Sequence, residues 1–278
     1  MTTSLDRRPA VTARRDVDRL RPTIPTSRMF WRVIAALSLL AVWSLASVLI
    51  GSSSLPGPAQ TVEAVLDLAT SPTFWVALAQ TLIGTLIGLA TAAAVAVPLG
   101  LAIGASRFAI ESSRITIDFF ASIPPVSFLP LALLLYGPSM AMKLMLVIYG
   151  VGWLLLVRTI DAVRDIDPHQ REVADAFGLP NSVRWSRIYL PASLPGILVG
   201  LRISFTFALL LAVSGEYIGG ATGIGAQLMA AQVSDRPADA LALAVIAALL
   251  GMTLNIAMNT LSRLAIGWHP SMRIASTS

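Results

Sequence analysis

Long apolar runs, broken by short polar interruptions rich in arginine, set the rhythm of this chain. Residues 33–50 form the first run. At about 18 residues it sits near the lower limit of roughly 17–25 for a helix that crosses a bilayer. A Gly/Ser/Pro stretch at 51–58 breaks it. Residues 59–70 carry Glu63 and Asp67 but no Lys or Arg. With Val62, Val65, Leu66 and Leu68 available to rest on lipid, they predict a short amphipathic helix at the membrane surface. Residues 75–104 form a second span, longer than an upright crossing needs, and Pro98 is predicted to kink it. Its Gly84/Gly88 and Gly100/Gly104 pairs allow close backbone approach, either within one subunit or against a second copy.

Arg107, Glu111 and Arg114 follow in a short loop. Residues 115–136 form a third segment, interrupted at Ile123-Pro124-Pro125, where two successive backbone donors are missing. Broken backbone at membrane depth survives only where protein or water satisfies it. Pro124 and Pro125 therefore mark either a bend on a translocation pathway or the junction of an interfacial helix with a span. Residues 144–157 form a short fourth span that Arg158 extends by snorkelling; Gly137, Pro138 and Lys143 fall in the loop before it. The fifth span, 192–213, contains Pro195, Gly196 and Arg202. Residues 214–237 read as a loop with Glu216, Asp235 and Arg236, and 238–266 form the sixth span, with Trp268 and Arg273 beyond.

Composition agrees with a lipid solvent. Of 278 residues, 55% are hydrophobic and 13% charged, against about 25% charged in a soluble domain. A net charge of +5 invites a nucleic-acid reading, but eight of the nineteen arginines lie before residue 33 and most others sit in short loops. The tail, 107–114, 158–187 and the C-terminus hold nearly all of them. The alternating loops 51–74, 137–143 and 214–237 hold only Lys143 and Arg236. That asymmetry predicts a multi-pass protein of the inner (plasma) membrane with both termini cytoplasmic, in contact with lipid and not nucleic acid. The basic start followed by an apolar run, with no small-residue cleavage site, reads as a retained anchor.

Several chemistries are excluded. There is no cysteine, so disulfides, thiolate metal sites and thiol catalysis are absent. There is no Gly-x4-Gly-Lys-Ser/Thr loop to cradle a nucleotide, no His-Glu-x-x-His and no Gly-x-Ser-x-Gly; His169 and His269 lie a hundred residues apart. The chain is therefore not expected to be an enzyme or to hold a cofactor or metal. Arg202 and Glu216 are the charges nearest membrane depth, where each costs about 2.5–3.5 kcal/mol on insertion scales. Arg202 either lines a pathway or snorkels, and Glu216 is either a loop carboxylate or the partner of a gate residue.

The most polar interruption in the second half is 172–191, EVADAFGLPNSVRWSRIYLP. Its Glu172, Ala174, Gly178, Ile188 and Pro191 fit Glu-x-Ala-x-x-x-Gly, then nine residues, then Ile-x-x-Pro. The stretch resembles the EAA loop of permease subunits from binding-protein-dependent ABC importers. Val173 departs from the alanine more common there. Ile123-Pro124-Pro125 with Phe128-Leu129-Pro130-Leu131, Leu194-Pro195-Gly196, Gly200-Leu201-Arg202, Glu216 with Thr222-Gly223-Ile224-Gly225, and Trp268 are similar to the nitrate, sulfonate and taurine branch.

The resemblance implies an all-α membrane protein of six transmembrane helices with the type I importer permease (MetI-like) architecture. Residues 1–32 would be a flexible basic cytoplasmic tail and 33–74 a first helix with an outer amphipathic segment. Residues 75–268 would form the transporter domain with a coupling loop at 167–191, and 269–278 a C-terminal tail. It implies coupling to an ATPase through Glu172, Ala174, Gly178, Ile188 and Pro191. Pro124, Pro125, Arg202, Glu216, Gly223 and Gly225 become candidates for the pathway or its gate. Implied partners are a second permease copy in a homodimer, a cytoplasmic ATPase dimer carrying ATP and Mg, and an extracytoplasmic solute-binding protein. The implied solute is a small anion such as a sulfonate, taurine or nitrate, with a vitamin precursor as the alternative. An ion-coupled secondary transporter, a membrane enzyme and an assembly protein are more distant readings. The first would place polar or charged groups deep in several spans, the second would cluster His, Asp or Glu near one interface, and the third would not need the loop's spacing.

Local chemistry adds detail. Asp167-Pro168 predicts the cap and first position of a short helix, with Glu172 in its first turn, favoured by the helix dipole. Gly178 lets the backbone turn, Asn181 or Ser182 is expected to cap a second short helix, and Pro191 to end the loop and begin the fifth span.

Overall fold

The computed structural model describes residues 28–265, which are helical with no strand among them. Most of the predicted basic tail, together with Trp268, Arg273 and residues 269–278, lies outside the described residues. The chain runs through α1 (Arg28–Ile50), α2 (Pro58–Thr70), α3 (Pro72–Gly104) and α4 (Arg107–Ser122). A 3₁₀ turn (Pro125–Phe128) leads to α5 (Leu129–Tyr136), followed by α6 (Met140–Arg164), α7 (Pro168–Ala176) and α8 (Asn181–Arg184). A π-turn (Trp185–Tyr189) leads to α9 (Leu190–Gly219), α10 (Ile224–Val233) and α11 (Pro237–Ala265).

Five helical stretches are long and apolar enough to cross a membrane: α1, α3, α6, the run containing α9, and α11. The pair α4–α5, bent by 73° at its break, supplies a sixth crossing if it counts as one span. The helices outrun the apolar pattern. The first begins at Arg28, five residues before the run at 33–50, and the fourth spans Met140–Arg164 instead of 144–157. Hydropathy marks the part of a helix that lipid surrounds, whereas backbone hydrogen bonding carries the helix past it.

Packing centres on α3, α6 and α9. Gly84, Gly88, Gly100 and Gly104 all face α6. A Cβ on any of them would come within 3 Å of the side chains of Lys143, Val147, Thr159 or Val163 respectively. The small-residue pairs thus serve close packing inside one subunit. Leu89, Ala92, Val147, Val151, Phe205 and Leu211 form the central cluster between these helices. By contrast α1 stands apart. Trp43 Nε1 donates to Pro56 O (3.0 Å) and Ser47 Oγ to Leu55 O (2.8 Å), while most of its apolar side chains are exposed, as suits a helix bathed in lipid.

α2 forms where predicted, with Val62 and Leu66 exposed, but Leu68 packs inward beside Phe74 and Leu243. The segment 214–237, expected as a loop, contains the last turns of α9 and all of α10. Glycines at 219, 220, 223 and 225 surround this turn and mask the helix that follows.

Candidate functional site

Three features flank the α3–α6–α9 core. At one end, α7 and α8 form a polar elbow. Asp167 caps α7, its Oδ1 accepting from His169 N (2.9 Å), and Pro168 occupies the first position. Gly178, at φ +60°, ends the helix, with Gly178 N–H donating to Asp175 O (3.0 Å) and Leu179 N–H to Ala174 O (3.1 Å). These two bonds satisfy carbonyls that a helix C-terminus leaves open, and the left-handed backbone between them favours glycine.

Arg184 then fastens the two arms. Its Nε donates to Leu179 O (2.7 Å), its Nη2 to Ala174 O (3.2 Å), and its Nη1 pairs with the Asp175 carboxylate. Ala174 is fully buried beneath this staple, whereas Glu172, Val173 and Phe177 are exposed, Phe177 at 77%. Three local expectations need correction. Glu172 is the fifth residue of α7, in its second turn, beyond the reach of the dipole effect concentrated in the first. Pro180, not Asn181 or Ser182, stands at the α8 N-cap, without a side-chain cap.

Pro191 does not mark a boundary, because α8, the π-turn and α9 run on without a break. Leu190 N–H bonds Trp185 O, five residues back. In a regular α-helix the Pro191 ring would meet the Arg187 carbonyl; the wider π-turn relieves that clash. Ile188 is half-buried in this turn, and Pro191 lies exposed just after it.

The second feature is the bend. Pro124 has no N–H for the Phe120 carbonyl four residues back. The Tyr149 hydroxyl of α6 donates to Phe120 O instead (2.8 Å). Phe120 stacks on Trp153 with centroids 5.3 Å apart, and Phe128 meets Tyr149 edge-on at 4.4 Å. Pro125 packs on Gly150 of α6, where a Cβ would lie 2.7 Å from the ring, while Pro124 is exposed. Tyr149 lies 29 residues along the chain from Phe120, and that distance hides the contact in the sequence.

The third feature lies at the end of the core opposite the elbow. Glu216, expected in a loop, is inside α9, and Lys143, expected in the loop 137–143, is inside α6; both are 0% exposed. Lys143 Nζ donates to Glu216 Oε1 (2.6 Å), Gln80 O (3.0 Å) and Thr222 O (3.1 Å). Glu216 Oε2 accepts from Thr81 Oγ1 (2.8 Å) and from Gly225 N–H (3.1 Å), and Thr81 Oγ1 also accepts from Ile224 N–H (3.0 Å). The carboxylate thus lies at the N-terminus of α10, where unpaired N–H groups and the helix dipole favour an anion. A Cβ at Gly223 would run into the Glu216 carboxylate, and one at Gly225 into Val213 O and the Glu216 side chain. Arg202 takes no part: it is exposed on α9 and donates to Asn259 Oδ1 on α11 (3.3 Å).

A polytopic, all-helical core with a stapled polar elbow at one end and a buried charge cluster at the other defines a membrane transport component, with neither a nucleotide cradle in its sequence nor a metal-binding cluster among its described residues. Residues 96–265 match the family described as binding-protein-dependent transport system inner membrane component. The chain belongs to that family and is a membrane-spanning permease subunit of an ATP-driven ABC importer.

Among its relatives, the aliphatic sulfonates transport permease protein of Escherichia coli is 28% identical over 238 residues, covering 85% of this chain and 90% of that protein. The taurine transport system permease protein of the same organism is 26% identical over 260 residues, covering 90% and 94%. The nitrate import permease protein of a Synechocystis species is 27% identical over 201 residues, covering 69% and 73%. In fold, the chain is similar to the inward-facing MetNI methionine ABC transporter, with a TM-score of 0.62 at 17% identity, over 70% of this chain and 98% of that one.

Proposed function

We propose that this permease moves a small anion of the sulfonate, taurine or nitrate kind, released to it by an extracytoplasmic binding protein. It works as a homodimer on a cytoplasmic ATPase dimer that carries ATP and Mg. The observation that carries the reading is the elbow: a rigid, arginine-stapled pair of helices that leaves Glu172, Val173 and Phe177 exposed at the arginine-rich end of the chain. An exposed apolar tip held this firmly suits docking into a partner, and positive-inside asymmetry supports a cytoplasmic elbow and cytoplasmic termini. Glu172, Gly178, Ile188 and Pro191 shape the elbow and its root on α9, and Ala174 fills its inside corner.

The solute class follows from the relatives, since their names span sulfonates, taurine and nitrate. Lys143 is the one buried cation among the described residues, and Glu216 neutralises it. Among the described residues the core therefore holds no uncompensated buried cation to trap an anion, which leaves selection to the binding protein. Pro124 and Pro125 belong to the pathway side, at the bend, while Glu216, Gly223 and Gly225 shape the outer mouth. Uptake of labelled taurine, ethanesulfonate and nitrate by vesicles holding the full complex tests the reading. Wild-type complex should carry at least one of them on addition of ATP. Glu172→Ala and Gly178→Val should insert normally yet lose most uptake. Normal uptake by both variants would sink the coupling role.

A further inference from the structure

We propose that the Lys143–Glu216 cluster is a permanent clamp that joins α10 to the ends of α3, α6 and α9, so that opening of this mouth during transport falls to the α4–α5 arm. The proposal rests on the importer reading above. Four elements meet in the cluster: Gln80 and Thr81 from α3, Lys143 from α6, Glu216 from α9, and the Thr222–Gly225 turn into α10. Lys143 uses three acceptors and Glu216 three donors, and both are wholly buried. Parting them would strand two charges away from water, the arrangement that buried ion pairs tolerate least. There is also no slack, because Gly223 and Gly225 lie so close to Glu216 that neither has room for a methyl group. A gate that opened here would have to break every one of these bonds at each turnover.

The α4–α5 arm has the opposite character. Ile117 is the single buried residue of α4, and α5 buries Leu129 and Ala132. The arm bends by 73° at a break whose prolines cannot carry a helix through. It is held to α6 by the Tyr149–Phe120 hydrogen bond and by ring contacts, and α5 rests through Leu129 and Ala132 on Met142, Leu146 and Ala221, all contacts between neutral groups. Neutral contacts of this kind can be made and broken without exposing charge.

With no native cysteine in this chain, an introduced pair supplies its only thiols. In the complete complex with ATPase and binding protein, Thr73→Cys/Gln227→Cys joined by a short reversible thiol crosslinker ties α3 to α10, where Gln227 Nε2 now reaches Thr73 O (3.0 Å). Leu133→Cys/Met145→Cys joined in the same way ties α5 to α6, which share a cluster. The expected result is ATP hydrolysis within about two-fold of the reduced form for the first pair, and a loss of about ten-fold or more, restored by reductant, for the second. Reversible arrest by the first crosslink, or none by the second, overturns the proposal.

A double variant gives a second arm. Lys143→Met alone should lower the yield of assembled complex several-fold, and Lys143→Met/Glu216→Gln should restore both yield and hydrolysis, since the carboxamide can still accept from Thr81 and Gly225. A double variant that assembles fully but is inactive shows the charge itself to be used, and overturns the clamp. If the unmodified complex hydrolyses no ATP, the importer reading fails, and the double variant's yield alone decides the clamp.

Discussion

Gly225 has no room for a methyl group, because its backbone is pressed between Val213 O and the Glu216 side chain while its N–H holds the carboxylate. Gly225→Ala must push α10 off its seat, and overpacking of this kind costs about 1–3 kcal/mol, occasionally more. A lower unfolding midpoint in detergent is the expected outcome, and a variant as stable as wild type would contradict the packing described. Tyr149→Phe is gentler: it leaves the ring contacts and removes one hydrogen bond to Phe120 O, worth about 0.5–1.5 kcal/mol. Its effect should appear as easier proteolysis of the α4–α5 arm, with the rest of the chain unchanged. Single-residue chemistry was only half legible in the chain. Lys143 and Glu216 stand out as charges flanking apolar runs, and a charge next to an apolar run reads as its end. Their pairing links positions 73 residues apart, so nothing in the neighbourhood of either one announces it.

At the scale of elements, the elbow shows which structural rules are local. Asp167, Pro168 and Gly178 act within one or two turns of chain, so their roles as cap, first position and stop could be read directly. Arg184 acts across the elbow on carbonyls that only the folded turn presents, and nothing in its neighbours foretells it. Gly178→Val, forced to adopt a positive φ, should cost about 1–2 kcal/mol of local stability. Arg184→Ala takes the guanidinium donor from the Leu179 carbonyl and leaves Ala174 O with the Leu179 N–H alone. Both should loosen the elbow while leaving the spans intact. Hydrogen exchange over residues 168–189 should rise in each variant, and ATPase stimulation should fall with it. Unchanged exchange in Arg184→Ala would show that the staple is dispensable. The π-turn before Pro191 follows the same logic from the other side. The sequence shows a proline and suggests a break, but widening the helix by one residue removes the clash and lets a single rod run from the elbow to the charge cluster.

For the whole molecule, the question is how many times the chain crosses the membrane, and the α4–α5 pair decides it. Hydropathy alone could not resolve this: α4 is amphipathic, with Arg107, Glu111, Arg114 and Asp118 along one face and Phe108, Ile115 and Phe119 exposed on another. Such a helix suits an interface, while α5 is apolar all round but only eight residues long. Two sites settle the parity. Ser52 lies in the turn after α1, and Ser186 in the π-turn beyond the elbow; both are exposed. Between them the chain runs through α3, the α4–α5 pair and α6. α3 and α6 pack parallel, Gly84 against Lys143 at one end and Gly104 against Val163 at the other, so the α4–α5 pair must carry the chain back between them; three crossings then separate the two serines and place them on opposite sides. With no native cysteine in the chain, Ser52→Cys and Ser186→Cys can each be labelled in intact cells with a membrane-impermeant maleimide. The arginine distribution predicts labelling of Ser52→Cys from outside, and of Ser186→Cys only after permeabilisation. Labelling of both from outside would put the elbow out of reach of any cytoplasmic ATPase and would contradict the parallel packing of α3 and α6. The opposite-side pattern makes the pair a true crossing whose bend lies within the membrane, where neutral aromatic contacts with α6 can give way while the charged cluster at the far end holds.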